Sequence, residues 1–244
     1  MHCLGKGPAR HDSRTLLLSK YLPSGYVAPD SVDWTSGITS FGTMLNNTIG
    51  DCVFAAGGHA EQTWTASRGT ERTPPDSQIL SYYEDWAGYV KGNPSTDRGY
   101  DELTFLNKWR RLGFCGSVLM GYADPDASNL EHIRQSIALF GGVYIGDQLP
   151  NSAIEQFDND EPWTLTSDSS IAGGHALWLP KYDLNWLYCV TWGRLVPMSY
   201  DFFLQSCDEA HTLLNPLFIN GVSGIASSGV DWVALQADLV SVTA

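Results

Sequence analysis

Two residues of the sequence could together supply a nucleophile and its base, although they lie far apart along the chain. Cys52 stands at the start of a helical pattern, and His175 precedes a strand pattern more than a hundred residues later. A thiol at a helix N-terminus beside a protonated imidazole has a pKa below the usual value of about 8.5, so it can ionise at neutral pH. A thiolate with a histidine partner can attack carbonyl carbon atoms and form a covalent intermediate. The pair therefore predicts cysteine-dependent chemistry across a cleft.

The remaining cysteines and histidines do not form a second recognisable site. His59 follows Cys52 by seven residues on the same helix, a rise of about 10 Å, so its ring cannot reach the sulfur. His211 stands close to Asp208 and Glu209, which predicts a local ion pair with a structural role. The cysteines are odd in number and have no C-x-x-C spacing, so we expect neither a disulfide framework nor a metal site, and no cofactor. They are Cys3, Cys52, Cys115, Cys189 and Cys207.

The net charge and the lengths of the apolar stretches indicate which classes of binding partner to expect. The chain has 244 residues, 14 of them basic and 27 acidic, which gives a net charge of −13. Such a charge repels phosphate backbones and anionic lipids, so we expect neither nucleic acid nor a membrane as partner. Leu16-Leu17-Leu18 is too short for the apolar region of a signal peptide, and no stretch approaches the ~20 residues that span a bilayer. We expect a soluble protein, cytoplasmic or part of a particle.

The pattern of apolar residues predicts a helical first half and a strand-rich second half. Helices are expected from Cys52 to about Ser67, where Gly57-Gly58 indicates close packing, and from Asp101 to Leu112. A third helix should begin near the capping pattern at Ser128 and end at Gly141, before a buried strand. A hairpin with its turn at Lys181 to Asn185 would bring His175 opposite Val190 or Thr191.

These patterns divide the chain into four parts. Residues 1–27 form an N-terminal extension, 28–125 a helical lobe with the cysteine, 126–206 a β-rich lobe with the histidine, and 207–244 a C-terminal extension. The last part contains a Gly/Ser-rich stretch from residue 221 to 229 and a final helix. An apolar stripe on that helix must pack on its own chain or on a protein partner, and both remain open. The stripe comprises Trp232, Leu235, Leu239 and Val242.

Several segments resemble papain-like cysteine peptidases. The run Pro29-Asp30-Ser31-Val32-Asp33-Trp34 is similar to the start of their mature domain, and the spacing from Trp34 to Cys52 equals theirs. His175-Ala176 and Trp192-Gly193 match later motifs in the same order, so the likeness covers about residues 28–205. The resemblance implies an α+β fold with two lobes, a helical N-terminal one and an antiparallel β-rich C-terminal one. It also implies thiol-dependent hydrolysis of peptide or amide bonds in a peptide or protein substrate.

The resemblance assigns catalytic roles to four residues. It implies that Cys52 is the nucleophile and His175 the base. Asn46 stands where the family has a glutamine that donates to the oxyanion, and it offers the same amide with one methylene fewer. Val190 replaces the asparagine that orients the histidine, and Thr191 is the nearest residue that could act instead. The backbone N–H of Cys52 would complete the oxyanion site.

The resemblance also implies a substrate-binding surface. Gly99 and Tyr100 occupy a place where the family pairs its backbone with an extended peptide, although a glycine in a simple turn would give the same pattern. Trp192 would cover the histidine as in the family, or belong to the core.

Other interpretations of the same residues stay open. Cys52 could be a buried, unreactive thiol, and His175 could be a strand histidine satisfied by backbone groups. The changes at Asn46 and Val190, together with the extra C-terminal helix, would also suit a papain-fold protein that binds or supports an assembly without efficient catalysis. Acyl transfer to an amine would use the same two residues. The family's disulfides are absent, and 27 residues are too few for the long propeptide of the secreted enzymes.

Overall fold

A mixed sheet with helices packed on it forms the body of the protein, which is described by a computed structural model over residues 2–221 and 229–243. Within these residues the strands are β1 (Leu16–Leu17), β2 (Val32–Asp33), β3 (Gly121–Asp124), β4 (Val143–Pro150), β5 (Ile171–Tyr182), β6 (Trp186–Thr191), β7 (Arg194–Ser199) and β8 (Cys207–Leu214). The α-helices are α1 (Cys52–Ala66), α2 (Asp76–Ala87), α3 (Glu102–Leu112), α4 (Leu130–Phe140), α5 (Asn151–Asp158), α6 (Tyr200–Ser206), α7 (Pro216–Gly221) and α8 (Trp232–Thr243). None of the described helices has the length and apolar character needed to span a bilayer.

The sheet follows the order β1-β3-β8-β4-β5-β6-β7, and β2 pairs with β5 beside this path. Only β1 and β3 pair in parallel among the described strands, and the other pairs are antiparallel. The predicted helical first half and strand-rich second half are seen, because α1 to α3 precede β3 and most of the strands follow it.

Helix α1 lies at the centre of the molecule, as its two consecutive glycines predict. Nearly every residue of this helix is buried. A Cβ on Gly57 would lie 2.6 Å from Phe105, and one on Gly58 would lie 2.3 Å from the sulfur of Met44. The close neighbours are therefore side chains, and the helix accepts two unfavourable residues because larger ones would not fit.

The ends of α3 and α4 follow their local sequence signals. Asp101 caps α3 by accepting a hydrogen bond from the backbone N–H of Thr104 at 2.7 Å. Asn129, not Ser128, caps α4, and Gly141 ends that helix with a positive φ of 82°. The N-cap of α4 is thus one residue later than the capping pattern predicted. The following strand begins at Val143, as expected.

The C-terminal part differs from the predicted division. Residues 207–214 form β8, which lies between β3 and β4 inside the sheet, so residue 207 does not mark the start of an extension. Strand β8 has a neighbouring strand on each side, and its sequence mixes apolar and polar residues without a clear alternation. Such a sequence does not distinguish a strand from a loop. Residues 222–228 of the Gly/Ser-rich stretch lie outside the described residues.

Helix α8 packs on its own chain. Leu235 is fully buried and Leu239 is 5% exposed, both in a cluster that includes Leu18. The hydroxyl of Tyr21 donates to Asp238 on the same helix at 2.8 Å. The side chain of Val242, the last residue of the predicted stripe, lies outside the described part. The packing supports an intramolecular role, and a protein partner on the outer face stays a prediction.

Replacement of Leu235 by alanine tests this packing. The variant should lose about 2 kcal/mol or more of its free energy of unfolding, because a buried leucine leaves a cavity. The control is Val233→Ala on the same helix, where the side chain is 79% exposed and a change within about 0.5 kcal/mol is expected. Urea unfolding followed by circular dichroism measures both, and equal effects would contradict the docked position of α8.

Candidate active site

Cys52 lies where the start of α1 meets β5. The residue is 1% exposed, and its Sγ accepts a hydrogen bond from the backbone N–H of Ala176 at 3.4 Å. Ala176 directly follows His175 in β5, so the packing of the helix on the strand brings the sulfur to the residue predicted as its partner. The two residues lie together in spite of their separation in sequence.

The His175 ring is held from two sides. Its Nε2 is 2.7 Å from the Thr191 hydroxyl, and its face stacks on Trp192 with the ring centroids 4.8 Å apart. Its Nδ1 is buried and has no hydrogen-bond partner among the described residues. Thr191 thus contacts the ring, as its predicted role would require, whereas Val190 is packed in the core and pairs with Trp178.

The position of Trp192 comes from a tight turn between β6 and β7. Trp192 and Gly193 have φ angles of 45° and 81°, and the strands pair directly across them at Thr191 and Arg194. Two-residue hairpin loops with positive φ at both positions fit the twist of the strands, and glycine favours the second position. The turn places the indole over the His175 ring, and Trp192 also belongs to a buried hydrophobic cluster.

Asn46 presents its amide to a carbonyl group of the chain. Its Nδ2 donates to the carbonyl oxygens of Cys3 at 3.2 Å and of Ile49 at 3.3 Å. The indole N–H of Trp192 donates to the same Cys3 oxygen at 3.4 Å. Asn46 is 2% exposed, so its donor direction is fixed by the surrounding structure. The Asn46 amide thus holds a backbone carbonyl, the kind of group that its predicted role would require it to bind.

Gly99 and Tyr100 contact another segment of the chain through their backbones. The Tyr100 N–H donates to the carbonyl of Gly5 at 2.7 Å, and its own carbonyl accepts from the N–H of Gly7 at 2.8 Å. Gly99 has a φ of 68°, and a Cβ there would lie 1.9 Å from the Gly5 oxygen. Gly99 thus serves both the turn and the close approach of another chain segment.

The sequence did not predict that this other segment belongs to the protein itself. Residues 2–7, named the N-terminal segment below, make these contacts with Asn46, Trp192 and Tyr100. Besides the contacts with Asn46 and Tyr100, the N–H of Lys6 donates to the carbonyl of Gly174 at 3.1 Å. Gly5 approaches the backbone so closely that a Cβ would lie 1.8 Å from the oxygen of Gly50. The glycines on both sides of Lys6 were the sequence signal that the backbone packs closely there. They do not indicate which distant residues it packs against.

His2 fixes the first end of the N-terminal segment. Its ring lies 4.4 Å from that of Trp192 and 4.8 Å from that of Phe157, measured between centroids. Its Nε2 is 2.6 Å from a carboxylate oxygen of Asp158. The aromatic rings and the carboxylate hold His2 beside Trp192, whose indole also stacks on His175.

The covered site changes the expected ionisation. Burial raises the pKa of Cys52 to about 12, although hydrogen bonds from the N–H groups of Ala176 and Gly5 oppose this effect. Burial also lowers the pKa of His175 to about 3, and the nearby His2 adds to the decrease. At neutral pH the site holds a thiol and an uncharged imidazole. The prediction that Cys52 ionises at neutral pH is wrong for this closed arrangement, because without water the helix N-terminus cannot offset the loss of solvation.

The other candidate residues take structural positions. All five cysteines are free. His59 is buried within α1, and burial lowers its pKa to about 4. His211 binds a carboxylate oxygen of Asp124 through Nδ1 at 2.6 Å, and its Nε2 lies 4.0 Å from Glu209. Glu102, Glu209 and His211 have ligand atoms within 4.8 Å of one another, a spacing that a metal ion could bridge and that the sequence did not indicate.

Comparison with solved structures identifies proteins that have a similar fold. No protein-family model matches the sequence, and no curated protein matches it. Xylellain, a cysteine protease from Xylella fastidiosa, has a similar structure with a TM-score of 0.69 and 17% identity, over 87% of this chain and 96% of that one. Procathepsin L 3 of Tenebrio molitor gives 0.58 and 13%, over 83% and 74% of the two chains. The cysteine protease CMS1MS2 of Carica candamarcensis gives 0.54 and 12%, over 76% and 98%.

The structures that resemble this chain have in common the fold expected from the motifs around Cys52 and His175. At identities of 11% to 17% the likeness concerns the course of the backbone, not the chemistry. The chain therefore has the papain-like α+β fold of cysteine proteases.

Proposed function

We propose that the protein hydrolyses peptide or amide bonds with Cys52 as nucleophile and His175 as base. The observation that carries this proposal is the arrangement around the imidazole. One ring nitrogen is bound by Thr191, the other has no partner among the described residues, and the strand of the histidine contacts the Cys52 sulfur. A base must have one nitrogen free to accept a proton while the other is held in a fixed tautomer.

The first half of the reaction forms a thioester. The Cys52 thiol transfers its proton to Nδ1 of His175, and the sulfur attacks the carbonyl carbon of the substrate. The carbonyl oxygen becomes negative and accepts hydrogen bonds from the Asn46 amide and the N–H of Cys52. The carbon–nitrogen bond then breaks, and the imidazolium gives its proton to the leaving amine. In the second half, His175 takes a proton from water, the hydroxide attacks the thioester, and Cys52 is released with the proton.

The substrate would bind as an extended strand. The N-terminal segment provides the example, because it pairs with the backbone of Tyr100 and places the Cys3 carbonyl at the Asn46 amide. Backbone pairing of this kind holds a peptide without regard to most of its side chains. The same path is closed to a substrate while the segment is in place, so turnover requires its displacement.

The complete burial of Cys52 and His175 favours a second candidate. A protein whose site stays covered would act as a binding or structural component, in agreement with the other interpretation of the sequence. The two candidates differ in what happens when the N-terminal segment leaves. A peptidase then gains a reactive thiol, whereas a structural protein gains only an exposed one.

The variant Gly5→Val tests this difference in the full-length chain. Its side chain has no room beside Gly50, so the N-terminal segment should leave the cleft. Gly7→Ala is the matched control, since a Cβ there lies 3.4 Å from its nearest atom and is accommodated. Iodoacetamide should modify Cys52 at least tenfold faster in Gly5→Val than in Gly7→Ala, as measured by peptide mass mapping.

Replacement of the histidine separates a reactive thiol from an exposed one. The added change His175→Ala should reduce the rate in Gly5→Val to that of an ordinary exposed cysteine. An unchanged rate would support the structural candidate.

The pH dependence of the same reaction provides a further prediction. In the unaltered protein, labelling of Cys52 should stay slow and rise throughout the range from about pH 5 to 9, because burial raises the thiol pKa to about 12. In Gly5→Val the sulfur regains solvent and the imidazole can carry a proton. The midpoint of the profile should therefore fall below the free value of about 8.5. A midpoint at or above that value would exclude an ion pair between Cys52 and His175.

Asn46→Ala in the Gly5→Val background tests the oxyanion site. Loss of one donor should lower kcat/KM for a dye-labelled casein by about 100- to 1000-fold. Alkylation of Cys52 by iodoacetamide, which develops no oxyanion, should change little, and this control separates a chemical effect from unfolding. Asn47→Ala, at an exposed position next to it, should leave both rates near the parent values. A similar loss in both variants would contradict the role of Asn46.

A further inference from the structure

A lysine of the N-terminal segment has its charge buried beside the candidate active site. The Lys6 side chain has no exposed surface. Its Nζ lies 2.9 Å from a carboxylate oxygen of Asp208 and 3.0 Å from one of Glu209. It also donates to the carbonyl of Gly7 at 3.1 Å. A buried ammonium group needs such partners, because its transfer from water is otherwise very unfavourable.

The surrounding residues form a chamber whose shape fits this side chain. Gly146 in β4 forms one side, where a Cβ would lie 1.9 Å from Cε of Lys6. Glu209 pairs with Gly146 in the neighbouring strand β8, so its carboxylate faces the same side of the sheet. Glu102, the first residue of α3, is 1% exposed, and neither of its carboxylate oxygens has a hydrogen-bond partner among the described residues. We call these residues, with Asp208, the acidic chamber.

Lys6 is the basic group that forms ion pairs with Asp208 and Glu209 in the acidic chamber. Burial lowers the pKa of Lys6, but the carboxylates of Glu102, Glu209 and Asp208 have the larger combined effect, and its pKa is raised. Burial and the nearby Glu209 raise the pKa of Glu102 well above its usual range, and Lys6 opposes this increase. When Lys6 leaves, Asp208 and Glu209 lose their ion pairs with its ammonium group, and another basic group that enters regains them.

The acidic chamber adjoins the part of the N-terminal segment that covers the start of α1. A Cβ on Gly5 would lie 1.8 Å from the oxygen of Gly50, two residues before Cys52, and the next residue along the segment is Lys6. The Lys6 backbone is fixed by its hydrogen bond to Gly174, directly before His175. The side chain in the chamber therefore belongs to Lys6, the residue next to Gly5, and Gly5 covers the start of the helix that carries Cys52.

We propose that the acidic chamber is a substrate subsite that selects a lysine side chain, and that Lys6 fills it in the closed protein. This inference rests on the proposed peptidase function for its catalytic meaning, but the recognition itself can be measured without turnover. An extended peptide that replaces the N-terminal segment meets the same backbone partners at Tyr100 and Gly174. Its lysine then takes over the ion pairs with Asp208 and Glu209.

The binding test uses Gly5→Val, in which the chamber is vacated. The probe is a fluorescein-labelled synthetic peptide with the sequence of residues 2–9, in which serine replaces the cysteine. A second peptide carries norleucine in place of the lysine, which keeps the chain length and removes the charge. Fluorescence anisotropy should give a dissociation constant roughly 100-fold weaker for the norleucine peptide. Equal affinities, or no binding of the lysine peptide at about millimolar concentration, would overturn the proposal.

Variants of the chamber assign the selectivity to its carboxylates. Glu209→Gln in the Gly5→Val background should reduce the preference for lysine over norleucine by about tenfold or more. Glu84→Gln, which makes the same change on the exposed face of α2, should leave the preference unaltered. Asp208→Asn, at a more exposed edge of the chamber, provides a second measurement should Glu209→Gln fail to fold. A preference that survives in both Glu209→Gln and Asp208→Asn would contradict the assignment.

Turnover of two internally quenched peptides, one with lysine and one with norleucine at this position, separates the two proposals. Lysine-selective binding without cleavage by Gly5→Val would contradict the peptidase function and leave the subsite intact. Cleavage of both peptides at equal kcat/KM would contradict the subsite and leave the peptidase function intact.

Discussion

The packing of helix α1 against the sheet determines the position of Cys52 relative to His175. Three contacts hold the helix there: Cys52 Sγ accepts from β5, the Tyr144 hydroxyl donates to the carbonyl of Val53 at 2.8 Å, and the Trp178 indole donates to Thr63 at 3.1 Å. These contacts run from the first turn of the helix to its last, so any shift of α1 against the sheet would break them and move the Cys52 sulfur away from β5. Cys52 and His175 are therefore held by the buried core of the protein.

The closed arrangement opposes the chemistry that this geometry would support. A thiol at a helix start beside an imidazole gains reactivity only if charge can form there, and the N-terminal segment removes the water that stabilises charge. The segment is held at both ends, by His2 on Trp192 and by Lys6 in the acidic chamber. The same contacts that block the site thus also describe how an extended chain fits into it. Inhibition and recognition of substrate would then use one set of groups.

Local signals in the sequence were sufficient for most of the fold. Cys52, His175 and the glycines of α1 lie in patterns with a direct structural meaning, and the resemblance of their spacing to a known family predicted that they meet. The prediction that Thr191 orients the histidine rested on its position beside Val190. The N-terminal segment and the central place of β8 could not be predicted in this way. Gly5 and Glu209 acquire their roles from partners far along the chain, and no periodicity encodes those contacts.

Chemical cross-linking of Cys52 to His175 measures their juxtaposition directly. The reagent 1,3-dibromoacetone alkylates a thiol first and then a neighbouring nucleophile, with loss of two bromides, so it joins only groups that lie within reach of a three-carbon bridge. In Gly5→Val, mass spectrometry of a digest should find the Cys52 peptide joined to the His175 peptide as the main product. A Cys52 that is alkylated only once, or joined to another residue, would contradict the account.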